Sequence, residues 1–315
     1  MTKQIRIGTR DSELALWQAR TVQNELEALG HQTLLVPVKS QGDLNLDEPL
    51  YEMGITGIFT KTLDVALIKG EIDIAVHSLK DVPTQLPKGM IQAAVMERAD
   101  HRDILVYKSS FNPDDQMTIA TGSLRRKSQW LNMYPLHNVV DLRGNVNTRL
   151  AKLQNNKEWH AAIFAKAGLE RINILKNLRG SYGLEFSHLD SFIPAPAQGA
   201  MMIAAMENNL EVVKAVSQLN HLETQKCVDI ERLFLRRLEG GCTAPIGAHA
   251  TIKQSRLHFT GCLLSLDGKK RIQTTGICES LEWKALEEFA FAKAEHVIDN
   301  GGLKLMAGIK KTLEQ

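Results

Sequence analysis

Along the first two thirds of the chain the spacing of apolar residues keeps switching between a strand period of two and a helix period of 3.6. Ile5 to Thr9 reads as a strand. Ser12 then stands at a capping position, and Leu14, Trp17, Val22 and Leu26 fall on or near one face of a helix running to about Leu29. Gly30 supplies its stop. Thr33 to Val38 is the next strand, Phe59 to Ile68 a helix, and Ile72 to Val76 a strand. The rhythm resumes with strands at 104–107, 118–121, 138–142 and 161–165 and helices at 124–133 and 146–154. This alternation predicts open sheets with helices on both faces, and ligands of such sheets gather at the carboxyl ends of the strands. Polar Glu97 to Asp103 separates two α/β halves, and Phe192 to Gly199 reads as a second linker. Two lobes joined by short crossings suggest a cleft that can hinge. After about residue 217 a long helix (His221 to Leu238), three β-type runs and two closing helices predict a smaller α+β part.

A length of 315 residues allows two or three domains, each with its own core. Net charge is only +2, which argues against a general polyanion binder and gives weight to local basic clusters. The first residues run directly into strand-like sequence with no export-type apolar core, and no apolar run reaches membrane-spanning length. The expected compartment is the cytoplasm. Four cysteines, Cys227, Cys242, Cys262 and Cys278, form no C-x-x-C pair, so neither structural zinc nor a disulfide is expected. Cys262 and Cys278 lie in apolar runs and read as packing residues. Cys242 differs. Gly240 and Gly241 precede it and Pro245 and Gly247 follow it, a composition that presents a thiol on a turn.

Basic residues collect at predicted strand ends. In Thr121-Gly122-Ser123-Leu124-Arg125-Arg126 a strand ends, Gly-Ser turns and a helix begins with two arginines. Helix N-termini favour anions, so arginine there needs a negative partner or a solvated face. Asp141-Leu142-Arg143-Gly144-Asn145 repeats the design, with Asn145 as cap and Arg149 further along the helix. From Ser123 to Arg149 five Lys/Arg stand against one Asp, which suits bidentate recognition of carboxylates or phosphates. In the first half, Arg10 and Ser12 form a third such turn. Lys80 and Asp81 follow the strand ending near His77, as an anion-binding and proton-accepting pair or as an ion pair tightening the turn before Pro83. His77 reads more as a hydrogen-bonded structural histidine than as a base. The long glycine-containing stretch from Ser40 to Thr60 reads as a lid.

These segments together resemble the porphobilinogen deaminase (hydroxymethylbilane synthase) family. The resemblance rests on Ile7-Gly8-Thr9-Arg10, Ala15-Leu16-Trp17-Gln18, His77-Ser78-Leu79-Lys80-Asp81-Val82-Pro83, Gly122 to Arg126, Leu142-Arg143-Gly144-Asn145-Val146, Ala195-Pro196-Ala197-Gln198-Gly199-Ala200 and Leu238-Glu239-Gly240-Gly241-Cys242, in family order. It implies an α/β fold with two periplasmic-binding-protein-like lobes and a third, smaller α+β domain. The resulting partition is 1–97 plus 195–215, 101–192 and 217–315. It implies a dipyrromethane cofactor in thioether linkage to Cys242 and head-to-tail condensation of four porphobilinogen molecules with loss of ammonia. It makes Asp81 the catalytic carboxylate, beside the cationic azafulvene left when ammonia departs. Lys80, Ser78, Ser123, Arg125 and Arg126 are then cofactor-binding, and Arg10, Ser12, Arg143, Arg149, Phe59 and Gln198 substrate-binding. The family favours a monomer, with neither nucleic acid nor membrane as partner. The lid departs from the family's usual Gly-Gly-Lys-Gly, reading Gly54-Ile55-Thr56-Gly57, with Thr62 where Glu is frequent and Glu52 where Lys is often seen.

Two other readings compete. A two-lobed receptor for a small anion fits the lobes but leaves the third domain and Cys242 without a role. A nucleic-acid binder would use the arginine-rich lobe, against which stand four Tyr, four Trp and a near-neutral charge.

Overall fold

Residues 4–38, 60–238 and 244–313 are described by the computed structural model. In chain order the elements begin with β1 (Ile5–Thr9), α1 (Glu13–Ala28), β2 (Thr33–Pro37), α2 (Lys61–Ile68), β3 (Ile74–Ser78) and β4 (Met90–Val95). There follow β5 (Asp103–Tyr107), β6 (Thr118–Ala120), α3 (Leu124–Met133), β7 (Asn138–Val140), α4 (Val146–Asn155), β8 (Ala161–Ala165), α5 (Lys166–Arg171), α6 (Leu178–Tyr182) and β9 (Glu185–His188). Then come β10 (Met201–Met206), α7 (Leu210–Val216), α8 (Leu222–Arg237), β11 (Ile246–Lys253), β12 (Arg256–Leu264), β13 (Arg271–Cys278), α9 (Trp283–Val297) and α10 (Leu303–Leu313).

The chain divides into two compact units. Among the described residues the first holds 4–38, 60–99 and 199–226, and the second holds 100–198 and 227–313. The first unit's sheet has the order β2-β1-β3-β10-β4, with β1, β2 and β3 parallel and β10 antiparallel to both its neighbours. Its core joins Ile5 and Ile7 of β1 to Ala19, Val22 and Leu26 of α1 and to Ile74 and Val76 of β3. α1 starts where Ser12 accepts the Ala15 N–H at 3.4 Å, and it stops before Gly30, whose φ of +86° suits glycine.

The second unit contains a sheet of order β7-β6-β8-β5-β9, again three parallel strands followed by one antiparallel to both neighbours. Alternate residues of β5 feed opposite cores. Ile104 and Val106 join Phe164 and Leu150 on one face, and Leu105 joins Trp130 and Ile163 on the other. Both faces are covered, so the strand reads as a continuous apolar run. The same unit carries the antiparallel sheet β11-β12-β13, whose main core is closed by α8, α9 and α10 through residues such as Phe234, Leu286 and Met306. Cys227, Cys262 and Cys278 are all buried, and burial pushes the Cys262 thiol up to about 11.

The structure moves some expected boundaries. β3 covers 74–78 rather than 72–76. Asp73 is diverted to Arg6, whose backbone N–H and guanidinium it accepts at 2.9 Å. Strands β4, β9 and β10 and helices α5, α6 and α7 have no counterpart in the patterning above. Phe59 and the lid stretch as far as that residue fall within 39–59, and Cys242 within 239–243, outside the described residues. Among the described residues no helix is long and apolar enough to cross a membrane, and no cluster of His, Cys, Asp and Glu is arranged to hold a metal ion.

Candidate active site

In the first unit, β1 and β3 lie side by side, with Ile7 opposite Ile74 and Gly8 opposite Ala75. Their carboxyl ends bring Arg10 and Ser12 onto the same edge of the sheet as Ser78, Lys80 and Asp81. The Ser78 hydroxyl accepts the side-chain amide of Gln18, buried in α1, at 2.8 Å. Lys80 and Asp81 sit on one 3-10 turn, Leu79–Asp81. Fully buried Leu79 pins that turn, its N–H bonded to Ala200 O at 3.1 Å, and Val82 N–H closes it on Leu79 O. The Lys80 and Asp81 side chains are left half-buried at the strand end.

His77 differs from its sequence reading. It is buried in β3 and its Nε2 has no hydrogen-bond partner, the Asp64 carboxylate standing 3.9 Å away. Burial, reinforced by the positive charge of Arg10, lowers its pKa to about 4, so the ring is neutral at pH 7. Burial also raises the Asp64 carboxyl, against a hydrogen bond from Thr60. A neutral His77 adds no charge to an edge already carrying Arg10 and Lys80.

In the second unit, β6 runs into Thr121-Gly122-Ser123 and α3, and β7 runs into the loop before α4. Gly122 is required by the approach of these two strand ends, because a Cβ there would lie 2.7 Å from Leu142 O. Ser123 caps α3, accepting the Arg126 N–H at 3.5 Å, and Asn145 caps α4, accepting the Thr148 N–H at 2.9 Å. Gly144 has φ +112°, and a Cβ there would meet Thr148 at 2.7 Å. Arg143 is buried, and Arg149 folds back so that its Nε donates to Gly144 O at 2.7 Å.

The negative partner demanded by two arginines at a helix start is Asp103, the first residue of β5. Arg125 Nη1 donates to one of its oxygens at 2.7 Å, and Arg126 Nε donates to the other at 2.9 Å. Arg125 also reaches Ile193 O at 2.9 Å, and Arg126 reaches Ile163 O at 3.1 Å. All three side chains are buried. Burial alone would raise the Asp103 carboxyl, but the two guanidiniums overrule it and hold it well below the usual carboxylate range. The solvated basic face considered above is therefore not what α3 presents. Gln198 belongs to the same cluster. At 1% exposure it donates to His101 O at 2.8 Å and Asp103 Oδ1 at 3.0 Å, and its oxygen faces Arg126 Nη2 at 3.5 Å. Asp103 reads in the sequence as the tail of a polar linker. The available signal was an arginine pair lacking a counter-charge and an acidic residue directly ahead of the apolar run Ile104-Leu105-Val106.

A dipyrromethane with carboxylate arms requires cationic donors in excess of their own counter-ions. This cluster meets that requirement. Two buried guanidiniums share one carboxylate, and the Nε of Arg125 is buried with no hydrogen-bond acceptor. The residues present fit the group.

Two family models match the chain in order. The "Porphobilinogen deaminase, dipyromethane cofactor binding domain" model matches residues 5–214, and the "Porphobilinogen deaminase, C-terminal domain" model matches 225–295. The porphobilinogen deaminase of Chlorobium phaeobacteroides is 39% identical over 99% of this chain and 100% of its own length. That of Desulfitobacterium hafniense is 38% identical over 99% of each chain. Among solved structures, the periplasmic aliphatic sulphonate binding protein of Escherichia coli is similar at 12% identity and a TM-score of 0.40, over 95% of this chain and 88% of that one. With both domain models matched in sequence order and relatives aligned from end to end, this chain belongs to the porphobilinogen deaminase family.

Proposed function

We propose that this protein is a deaminating transferase. It condenses four porphobilinogen molecules head to tail, releasing ammonia, into the linear tetrapyrrole hydroxymethylbilane. The observation that carries this reading is the buried Arg125–Asp103–Arg126 cluster, positively charged in excess, in a chain whose family handles pyrroles bearing carboxylate arms. A dipyrromethane bound through Cys242 supplies a primer to which pyrrole units are added.

Each residue has a physical task in this reading. Arg125 and Arg126, with Ser123 at the start of α3, offer positive charge to the primer's carboxylates, while Asp103 and Gln198 fix the two guanidiniums. Gln198 therefore acts through the arginines rather than on substrate. Ser78 and Lys80 also serve the primer. Arg10, Ser12, Arg143 and Arg149 take carboxylates of incoming porphobilinogen. Asp81 stabilises the cation formed when porphobilinogen loses ammonia and accepts protons released on coupling. Phe59 contributes to substrate contact. The parts are 1–97 with 195–215, 101–192 and 217–315, acting as a cytoplasmic monomer without nucleic-acid or membrane partners.

Intact mass spectrometry tests the reading most directly. Protein from cells that make porphobilinogen should exceed its sequence mass of 35.1 kDa by an organic group, and Cys242→Ala should abolish the excess. A wild-type chain of unmodified mass from such cells would reject it.

A further inference from the structure

Gln129 lies in α3 one turn after Arg125, so the two side chains share a face of the helix. It is 1% exposed, and its carboxamide pairs with both backbone groups of one residue. Oε1 accepts the Ile193 N–H at 2.8 Å, and Nε2 donates to Ile193 O at 2.9 Å. Ile193 is buried between β9 and β10 and belongs to no strand, so the amide of Gln129 stands in for the sheet partner its backbone would otherwise need.

The same carbonyl serves Arg125. Ile193 O accepts Arg125 Nη1 at 2.9 Å, and the other acceptor of Nη1 is Asp103 Oδ2 at 2.7 Å. Each acceptor is held in turn by a buried glutamine. Gln198 Nε2 donates to Asp103 Oδ1 at 3.0 Å, and Gln129 holds Ile193. Arg126 takes Asp103 Oδ1 and Ile163 O instead, so the grip of Gln129 on Ile193 bears directly on Arg125. A guanidinium is planar and rigid. Two acceptors on Nη1 therefore fix its plane, and with it the direction of the buried Nε–H, which has no acceptor.

We infer that Gln129 is a positioning residue for Arg125: by fixing Ile193 O it sets the plane of the guanidinium, and so the direction from which Arg125 Nε meets a carboxylate of the primer. This rests on the reading that Arg125 binds a dipyrromethane. Without Gln129 the carbonyl of Ile193 loses its anchor, and Arg125 keeps one fixed acceptor, Asp103, about which its plane can turn. Arg126 keeps its own acceptors. The ion pairs with Asp103 therefore persist while the donor aimed at the primer does not, and a misplacement of about 1 Å at such a group costs as much as a hundredfold in rate.

The test uses the full chain made in cells where porphobilinogen is limiting, with the folded fraction isolated by gel filtration. Gln129→Met keeps the length of the side chain and removes both bonds to Ile193. Gln129→Glu keeps an acceptor for the Ile193 N–H but sets a second oxygen against Ile193 O, and it preserves the shape of the side chain should the methionine variant not fold. The Arg125 Nε–H signal in proton–nitrogen correlation spectra, assigned by its loss in Arg125→Lys, should exchange with water roughly tenfold faster in the folded variants. Intact mass should show the loaded-to-unloaded ratio falling roughly tenfold as well. Combined with Arg125→Lys, either variant should lower that ratio no further than Arg125→Lys alone, because Gln129 acts through Arg125, whereas a general loss of packing would add to it. Wild-type exchange or wild-type loading in the folded variants, or losses that add, overturns the inference. Absence of the mass increment from the wild-type chain would instead overturn the parent reading.

Discussion

In the first sheet the third parallel strand, β3, runs into a turn where Lys80 and Asp81 remain half-buried. In the second sheet the corresponding strand, β8, runs into Lys166, whose ammonium is tied to Asp100 at 2.6 Å, with Arg102 on the same carboxylate at 2.7 Å. The strand orders are alike and β1 and β6 each lead to a serine-capped helix, yet the charges are handled in opposite ways. One sheet keeps a carboxylate where solvent and small molecules reach it. The other buries Asp103 under two guanidiniums. A group that exchanges protons with a substrate needs access and a choice of protonation state. A group that only holds a carboxylate gains from rigidity, because a preorganised cation loses less freedom on binding.

Exchanging Asp81 for alanine should break this contrast most severely. Turnover of porphobilinogen is expected to fall by roughly 10²–10⁴-fold, while thermal melting shifts little, since no buried partner is left behind. Activity near wild type would remove Asp81 from the chemistry. Asp103→Asn should do the reverse and strike stability first. Leaving two buried guanidiniums without their counter-charge costs about 3–5 kcal/mol, readable in urea unfolding at pH 7. Because the folded Asp103 carboxyl titrates below its unfolded counterpart, its contribution is fully present above about pH 4 and lost as pH falls further. The variant's acid limb should accordingly be flatter.

His77 offers a finer comparison. Its folded pKa of about 4 lies below the ordinary histidine value, so the unfolded chain binds the proton more readily. Stability should decline as pH drops from about 6.5 toward 4, by about 1–3 kcal/mol, and His77→Gln should remove that slope in pH-dependent melts. The smallest effect separates the two serine caps. Ser12→Ala and Ser123→Ala should each cost about 0.5–1 kcal/mol, the low end because both cap bonds are long, at 3.4 and 3.5 Å. Only Ser123→Ala should also reduce the fraction of chains carrying the extra mass.

Local signals made much of this molecule readable in advance. Ser12, Gly30, Ser123 and Asn145 mark helix ends through contacts within three or four residues, and α3 begins and ends where the patterning predicts. β10 was not legible in the same way. Met-Met-Ile-Ala-Ala-Met suits a helix as well as a strand, and it is a strand because β3 and β4 flank it, more than a hundred residues away in the chain. Arg125, Arg126 and Gln198 stood out as chemistry-bearing residues, but their burial did not, because it depends on Asp103 and on the carbonyls of Ile163 and Ile193. Asp103 itself was hidden by its polar neighbours. Sequence spacing marks where a strand ends, and only tertiary packing decides whether the charge there faces water or another charge.

The insertion of β10 between β3 and β4 has a consequence for synthesis. Among the described residues β4 pairs within its sheet only with β10, so this edge cannot form until residue 206 has been made. By then every strand of the second five-stranded sheet, β5 to β9, is already in the nascent chain. Domains fold as units as the chain emerges. The lobe bearing the arginine pair can therefore assemble on the ribosome ahead of the lobe bearing Asp81, and Asp81 reaches its final setting late.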